Sequence, residues 1–268
     1  MMGNLGRSSL WTIHLTVRKN KQMGDVMKLS NYLGLKNKDI ISIVGAGGKT
    51  TMMSKLAEEL RQSNRVLVTT TTKIYIPLDD KYDFICTDSE RLPGYIAMSE
   101  NGVYVLGSGV NSENKILGLS FKELDKLAPH FDYILIEADG AKEKRLKGWN
   151  EFEPVIYCNT TKTVGIIDIQ SVGMLINEDS VHRNEIFCEL TGAKQGETVK
   201  LEHLSNLILH PRGLFKAAQG ERILYINKVE TPKDLALARS LVNKVDSANK
   251  GKLDSVILGS LKTGIYFR

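Results

Sequence analysis

The 268-residue chain carries three cysteines, Cys86, Cys158 and Cys188. An odd number at wide spacing gives neither a disulfide framework nor a CxxC metal pair. A reducing cytosol is the compartment this suggests. Apolar runs are strand-sized, so no segment reads as a membrane span. The opening stretch, MMGNLGRSSLWTIHLTVRKNKQMGDV, lacks the apolar core of a signal peptide. The five histidines show no HxxxH or HExxH spacing, which removes the usual basis for a protein zinc site. No G-x-S-x-G elbow occurs, so serine hydrolysis lacks its best marker. There is no long basic block and no aromatic pattern of an RNA-reading sheet, which argues against nucleic acid as a partner. The net charge of +5 instead suits small polyanions such as nucleotide phosphates.

What is present is a rhythm of short apolar strands and amphipathic helices. DIISIVGA predicts a buried strand, and KTTMMSKLAEELRQS a helix with Met52, Met53, Leu56, Ala57 and Leu60 on one stripe. NRVLVTTTT, YDFICTD, GVYVLGSG and DYILIEADGA predict further strands, with SFKELDKLAPHF a helix before the last of them. In the second half PVIYCN, TVGIIDIQ, RILYIN and SVILGS read as strands. DSVHRNEIFCEL, VKLEHLSNLIL and PKDLALARSLVNKVDSAN read as helices, the first capped by Asp179 or Ser180. Such alternation predicts an α/β fold with a mostly parallel sheet covered on both faces. With no Pro/Ser-rich linker and no internal repeat, residues 38–268 read as one domain. Residues 1–37 read as a flexible N-terminal extension, with a hairpin around LWTIHLTV as the competing reading.

Ligands of open α/β sheets bind at the carboxyl ends of the strands, and four strand ends here carry suggestive residues. The first is GAGGKTT, between a strand and a helix, the context of a phosphate loop. Gly45, Ala46, Gly47 and Gly48 would bring backbone N–H groups to phosphate oxygens at the positive end of the helix. Lys49 would reach the terminal phosphates, Thr50 would hold Mg2+, and Thr51 would bond an inner phosphate. The usual eight-residue pattern wants glycine where Ile43 stands, so this is a shortened variant. The loop predicts a P-loop NTPase-like three-layer sandwich. The second end is ILIEADGA, where Glu137 and Asp139 would hold Mg2+ or align an attacking water and Gly140 would donate to a γ-phosphate. The third is YINKVE: Asn227, Lys228 and Glu230 approximate the Asn-Lys-x-Asp motif that reads guanine, with Ser260 at the next strand end beside it. Adenine stays open, so the nucleotide is GTP or ATP. The fourth is TTTTK, Thr69 to Lys73, whose hydroxyls and lysine would serve a substrate or the metal, against plain strand propensity of threonine. Arg183 beside His182, and Arg212 beside His210, are further phosphate candidates.

Taken in chain order, GAGGKTT, RVLVTTTTK, ILIEADGAK, EPVI, VHR, HPRGLFK and LYINKVE resemble the YqeC family, accessory proteins of selenium-dependent molybdenum hydroxylases. The resemblance runs from about residue 28 to the C-terminus. It implies a role in maturing a selenium cofactor or a molybdenum hydroxylase, with that enzyme or its maturation proteins as partners. The broader pattern is similar to metallochaperone-type P-loop GTPases, which place a glutamate after the central strand, as Glu137 stands here, and glycine three places later, as Gly140 does. Glu230 departs from the aspartate of that pattern. The short loop also resembles that of the ATP-using amino-acid ligases of cell-wall synthesis. Three functions follow as expectations: a Mg-assisted nucleotide-dependent maturation factor with Lys49, Lys73, Glu137 and Asp139 as catalytic groups, an ATP-dependent small-molecule kinase or ligase, and a non-catalytic nucleotide-binding module.

Overall fold

The computed structural model describes residues 27–88, 90–91, 94, 99–249 and 251–268. The LWTIHLTV stretch lies outside them. A nine-stranded sheet forms the middle layer. Its strands in chain order are β1 (Ile40–Gly45), β2 (Arg65–Thr70), β4 (Phe84–Cys86), β5 (Gly102–Leu106), β8 (Tyr133–Glu137), β10 (Lys162–Asp168), β12 (Glu221–Asn227), β13 (Ser255–Ser260) and β14 (Ile265–Phe267). The spatial order is β14-β13-β12-β10-β1-β8-β2-β5-β4. All neighbours are parallel except β13 and β14. Every residue of β1 and β10 is buried, as expected of strands covered on both faces.

Alternate residues of β1 serve the two covers. Ile41 and Ile43 face a cluster with α1 (Leu29–Tyr32) and α2 (Lys49–Leu60), whose Met52, Met53, Leu56, Ala57 and Leu60 form the predicted stripe. Ile40 faces a cluster with α3 (Phe121–Leu127), and Val44 one with α4 (Asn184–Thr191), α5 (Leu201–Leu209) and α6 (Pro232–Asn249). The result is a three-layer α/β sandwich. Helix α1 belongs to it: Leu29 and Leu33 are buried, and the Glu59 carboxylate accepts from Leu29 N and Ser30 N, each at 2.9 Å. The packed body thus begins ahead of residue 38.

Two small ladders flank the carboxyl edge of the sheet. One is the antiparallel trio of β3 (Lys73–Tyr75), β6 (Gly109–Val110) and β7 (Lys115–Leu117); the other pairs β9 (Leu146–Lys147) with β11 (Val181–His182). The second ladder corrects the expected helix start. Because Val181 and His182 pair with β9, α4 starts only at Asn184, after Arg183 in left-handed conformation, and neither Asp179 nor Ser180 is its cap. Their N–H groups bond Asn177 Oδ1 instead. PVIYCN is likewise no strand. Both edges of β8 are already taken by β1 and β2, so residues 154–159 cross the strand ends and meet them singly, through Val155 N to Ala138 O and Thr71 Oγ1 to Val155 O.

Candidate functional site

Strand β1 ends at Gly45 and α2 starts at Lys49, so the glycine loop turns directly onto a helix N-terminus. Gly47 and Gly48 have φ of +79° and +152°. A Cβ at 47 would lie 2.6 Å from Asp168 Cβ, and one at 48 would lie 2.4 Å from Asn227 Nδ2. Only glycine lets the loop rest this closely on the ends of β10 and β12. Gly45 and Ala46 are buried beneath it, Thr51 is exposed on the first turn of α2, and among the described residues no protein group accepts from the N–H groups of Gly47 to Thr51. A run of free donors at a helix N-terminus is the arrangement that holds anions.

Lys49 is buried, with Nζ 2.7 Å from Gly45 O, 3.1 Å from Asp139 Oδ1 and 3.8 Å from Glu137 Oε1. Burial pulls its pKa down, but Asp139 and Glu137 together outweigh that and the net shift is upward. Asp139 is fully buried. Its Oδ2 accepts from Gly45 N at 3.1 Å and Trp149 Nε1 at 2.6 Å, and lies 3.2 Å from Lys147 Nζ. Its Oδ1 meets Lys49 in an ion-pair contact that is not an aligned hydrogen bond. Burial pushes its pKa up; Lys49, Lys147 and the two donors win and hold it below the usual range. Glu137 differs. Burial raises its pKa despite Lys49, and its Oε2 is 3.4 Å from Thr50 Oγ1 at the mouth of the site. The two carboxylates that sequence alone leaves interchangeable therefore stand in different places: Asp139 under the loop, Glu137 beside the threonine.

Gly47, Gly48, Lys49, Thr50, Lys73, Glu137 and Gly140 share one cavity of about 890 Å³. Six lysines and two arginines line it against four glutamates, leaving it positive. Gly140 is notable within it. A Cβ there would meet nothing within 4 Å, and its φ lies outside the left-handed region. Neither packing nor backbone conformation explains glycine at 140.

Asn227, Glu230 and Ser260 stand apart from that lining. Asn227 Nδ2 donates to Gly47 O at 2.8 Å and its Oδ1 accepts from Leu261 N at 3.1 Å. Ser260 Oγ donates to Glu230 Oε1 at 3.1 Å. Lys228 turns to Asp168, Nζ to Oδ2 2.7 Å. The threonine run is mostly scaffold: Thr69, Thr70 and Thr71 donate to the carbonyls of Leu106, Glu137 and Val155, tying β2 to its neighbours. Arg183 lines the cavity with His182, whereas Arg212 pairs with Glu189 on the surface and does not.

Sequence reading missed four members of the site. Asp168 ends β10 buried behind Gly47, held by a two-point pair with Arg145 at 2.6 and 2.8 Å. Lys147, wholly buried, bridges Asp139 and Glu153, and Glu153 also holds Arg183 at 2.5 Å. The signal was available for Asp168, since GIID ends an apolar strand in an acid as ILIE does. Lys147, in the two-residue strand β9, and Glu153, in the loop after it, follow no apolar run in the sequence, so only the fold shows the one buried and the other half-buried.

An α/β sandwich with a glycine loop between its central strand and a helix, and with acids from the flanking strands at the loop, is the class these features define. The chain belongs to the YqeC family: residues 41–185 match the family described as YqeC protein. It is also 34% identical over 198 residues to the uncharacterized protein YqeC of Escherichia coli (strain K12), covering 72% of this chain and 77% of that protein.

Proposed function

We propose that this protein binds a purine nucleoside triphosphate, GTP or ATP, with Mg2+, and that its turnover serves maturation of a selenium-dependent molybdenum hydroxylase or its cofactor. The observation that carries nucleotide binding is the loop itself: free N–H groups from Gly47 to Thr51, opening on a positive cavity, with the charged Lys49 buried at their base. Gly140 supports it, because close approach of a ligand supplies the reason for glycine that the protein does not. In this reading Lys49 leaves Gly45 O to meet the terminal phosphates, while Asp139 keeps it charged and fixes the Gly45 amide. Thr50 and Glu137 are the residues that would hold Mg2+, and the ion would neutralise charge on the phosphate oxygens. Arg145, fixed by Asp168 at the cavity wall, adds a second cation beside the loop. Hydrolysis would join a water oxygen to the γ-phosphorus as its bond to the β–γ bridging oxygen breaks, giving the nucleoside diphosphate and inorganic phosphate, with one water proton released to solvent.

On the base side, Asn227 acts first on the loop, through Gly47 O. Glu230, exposed and held through one oxygen by Ser260, would be the acceptor for guanine, and Lys228 would have to exchange Asp168 for the ring. Calorimetry with GTP, ATP and their hydrolysis-resistant analogues in Mg2+ tests the reading, with Lys49→Ala as control. Tight binding lost in the variant is expected. Equal binding by wild type and variant, or none by wild type, defeats it. Transfer to a small molecule is the second reading, favoured by the extent of the cavity away from the base side. Turnover that rises with one metabolite, instead of with a hydroxylase subunit, would select it.

A further inference from the structure

The cavity is larger than its phosphate loop. It continues between the small sheet that carries Lys73 and Lys115 and the loop of residues 141–145 that follows β8. Most of its cations are committed to carboxylates: Lys49 to Asp139, Arg145 and Lys228 to Asp168, Lys115 to Glu113, Arg183 to Glu153. Three are not. Lys73 and Lys142 make no ion pair among the described residues, and Lys144 Nζ donates only to a neutral carbonyl, Asp179 O, at 2.7 Å. Lys73, at the start of β3, and Lys142, in the loop after β8, line the same cavity as Glu113. Lys142 and Glu143 hold consecutive left-handed conformations, φ 48° and 60°. They form the centre of a turn closed by Lys144 N donating to Ala141 O at 3.0 Å, which presents Lys142 at the cavity.

A nucleotide lying from the loop toward Glu230 and Ser260 would leave this region uncovered, since those two residues are outside the lining. From this we infer that the region around Lys73, Lys142 and Lys144 is a second anion site, taking a phosphate-bearing small molecule opposite the nucleotide's terminal phosphate. That placement rests on the loop being the nucleotide's. Unpaired lysines around a concave space suit a phosphate dianion, because each ammonium gains a partner without breaking an existing pair. His182 borders the site as a neutral imidazole, its pKa lowered to about 4 by burial and then by Arg183 and Lys147, and so adds a donor or acceptor without charge.

Inorganic phosphate is the probe. It is titrated into the full chain saturated with a hydrolysis-resistant nucleotide analogue and Mg2+, and followed by phosphorus NMR line broadening. A second, salt-sensitive phosphate site is expected, weakened at least fivefold in Lys142→Gln/Lys144→Gln with nucleotide affinity unchanged within twofold. No phosphate binding to the saturated protein, or binding indifferent to that double substitution, overturns the inference. If the analogue itself does not bind, the titration is repeated on the nucleotide-free chain and on Lys49→Ala. Binding kept in Lys49→Ala and lost in the double variant upholds the second site while the nucleotide reading fails. Binding lost in a folded Lys49→Ala places phosphate in the loop and removes the second site.

Discussion

Gly140→Ala separates a glycine needed by a ligand from one needed by the fold. The new Cβ would meet no atom within 4 Å, and the backbone φ is one that alanine accepts. Alanine should therefore leave stability unchanged or raise it by about 0.4–1 kcal/mol through the unfolded chain. Gly47→Ala is the contrast: its Cβ would lie 2.6 Å from Asp168 Cβ at a φ of +79°, so it should cost more than ~1 kcal/mol. If Gly140 stands where a terminal phosphate approaches, its alanine variant should bind nucleotide about tenfold more weakly, a loss of ~1.4 kcal/mol. Urea unfolding gives the first number and calorimetry the second. A Gly140→Ala protein as stable as wild type that binds nucleotide with wild-type affinity would refute the reasoning, because nothing else accounts for that glycine.

Asp139→Ala removes the partner of two buried lysines and the acceptor of Gly45 N and Trp149 Nε1. It should cost about 3–5 kcal/mol in denaturant unfolding, the range for one side of a buried pair, and a loss below ~1 kcal/mol would mean the lysines find other partners. Because its pKa is depressed in the fold, its contribution is present above the ordinary carboxylate range and lost only as pH falls through the lower folded value. Asn227→Ala should cost about 1–3 kcal/mol by leaving Gly47 O and Leu261 N unpaired. Since Asn227 acts through the loop, GTP and ATP affinities should fall in parallel by calorimetry; loss of GTP binding alone would make it a base reader instead. For His182, folded pKa about 4 against an ordinary 6.5, the unfolded chain binds a proton between those pH values that the folded chain does not. Stability should fall as pH drops through that window, and His182→Gln should flatten the fall in unfolding curves taken from pH 7 to 4.

How far the sequence could be read depended on whether a residue's role was local. β1, α2 and α6 were legible because a buried strand needs an unbroken apolar run and a helix needs its stripe, and both are written in consecutive residues. The glycine loop was legible for the same reason. Strand β14 and the β3-β6-β7 trio were not, since two- and three-residue strands carry no period of their own; β4, equally short, was read only within the longer YDFICTD run. TTTTK looked like a ligand cluster, yet Thr69 to Thr71 spend their hydroxyls on carbonyls of segments distant in sequence, Leu106, Glu137 and Val155. Lys147 carries no motif in the sequence, and burial between Asp139 and Glu153 makes it part of the site's charge balance. Roles set by long-range pairing emerge only when the strand ends are brought side by side.

The most direct test is a structure of the protein with a hydrolysis-resistant ATP or GTP analogue and Mg2+. The account predicts terminal phosphates against the N–H groups of Gly47 to Thr51, Lys49 Nζ moved from Gly45 O to a phosphate oxygen, and the ion beside Thr50 and Glu137. Phosphates bound away from the loop, with Lys49 still on Gly45 O, would contradict it.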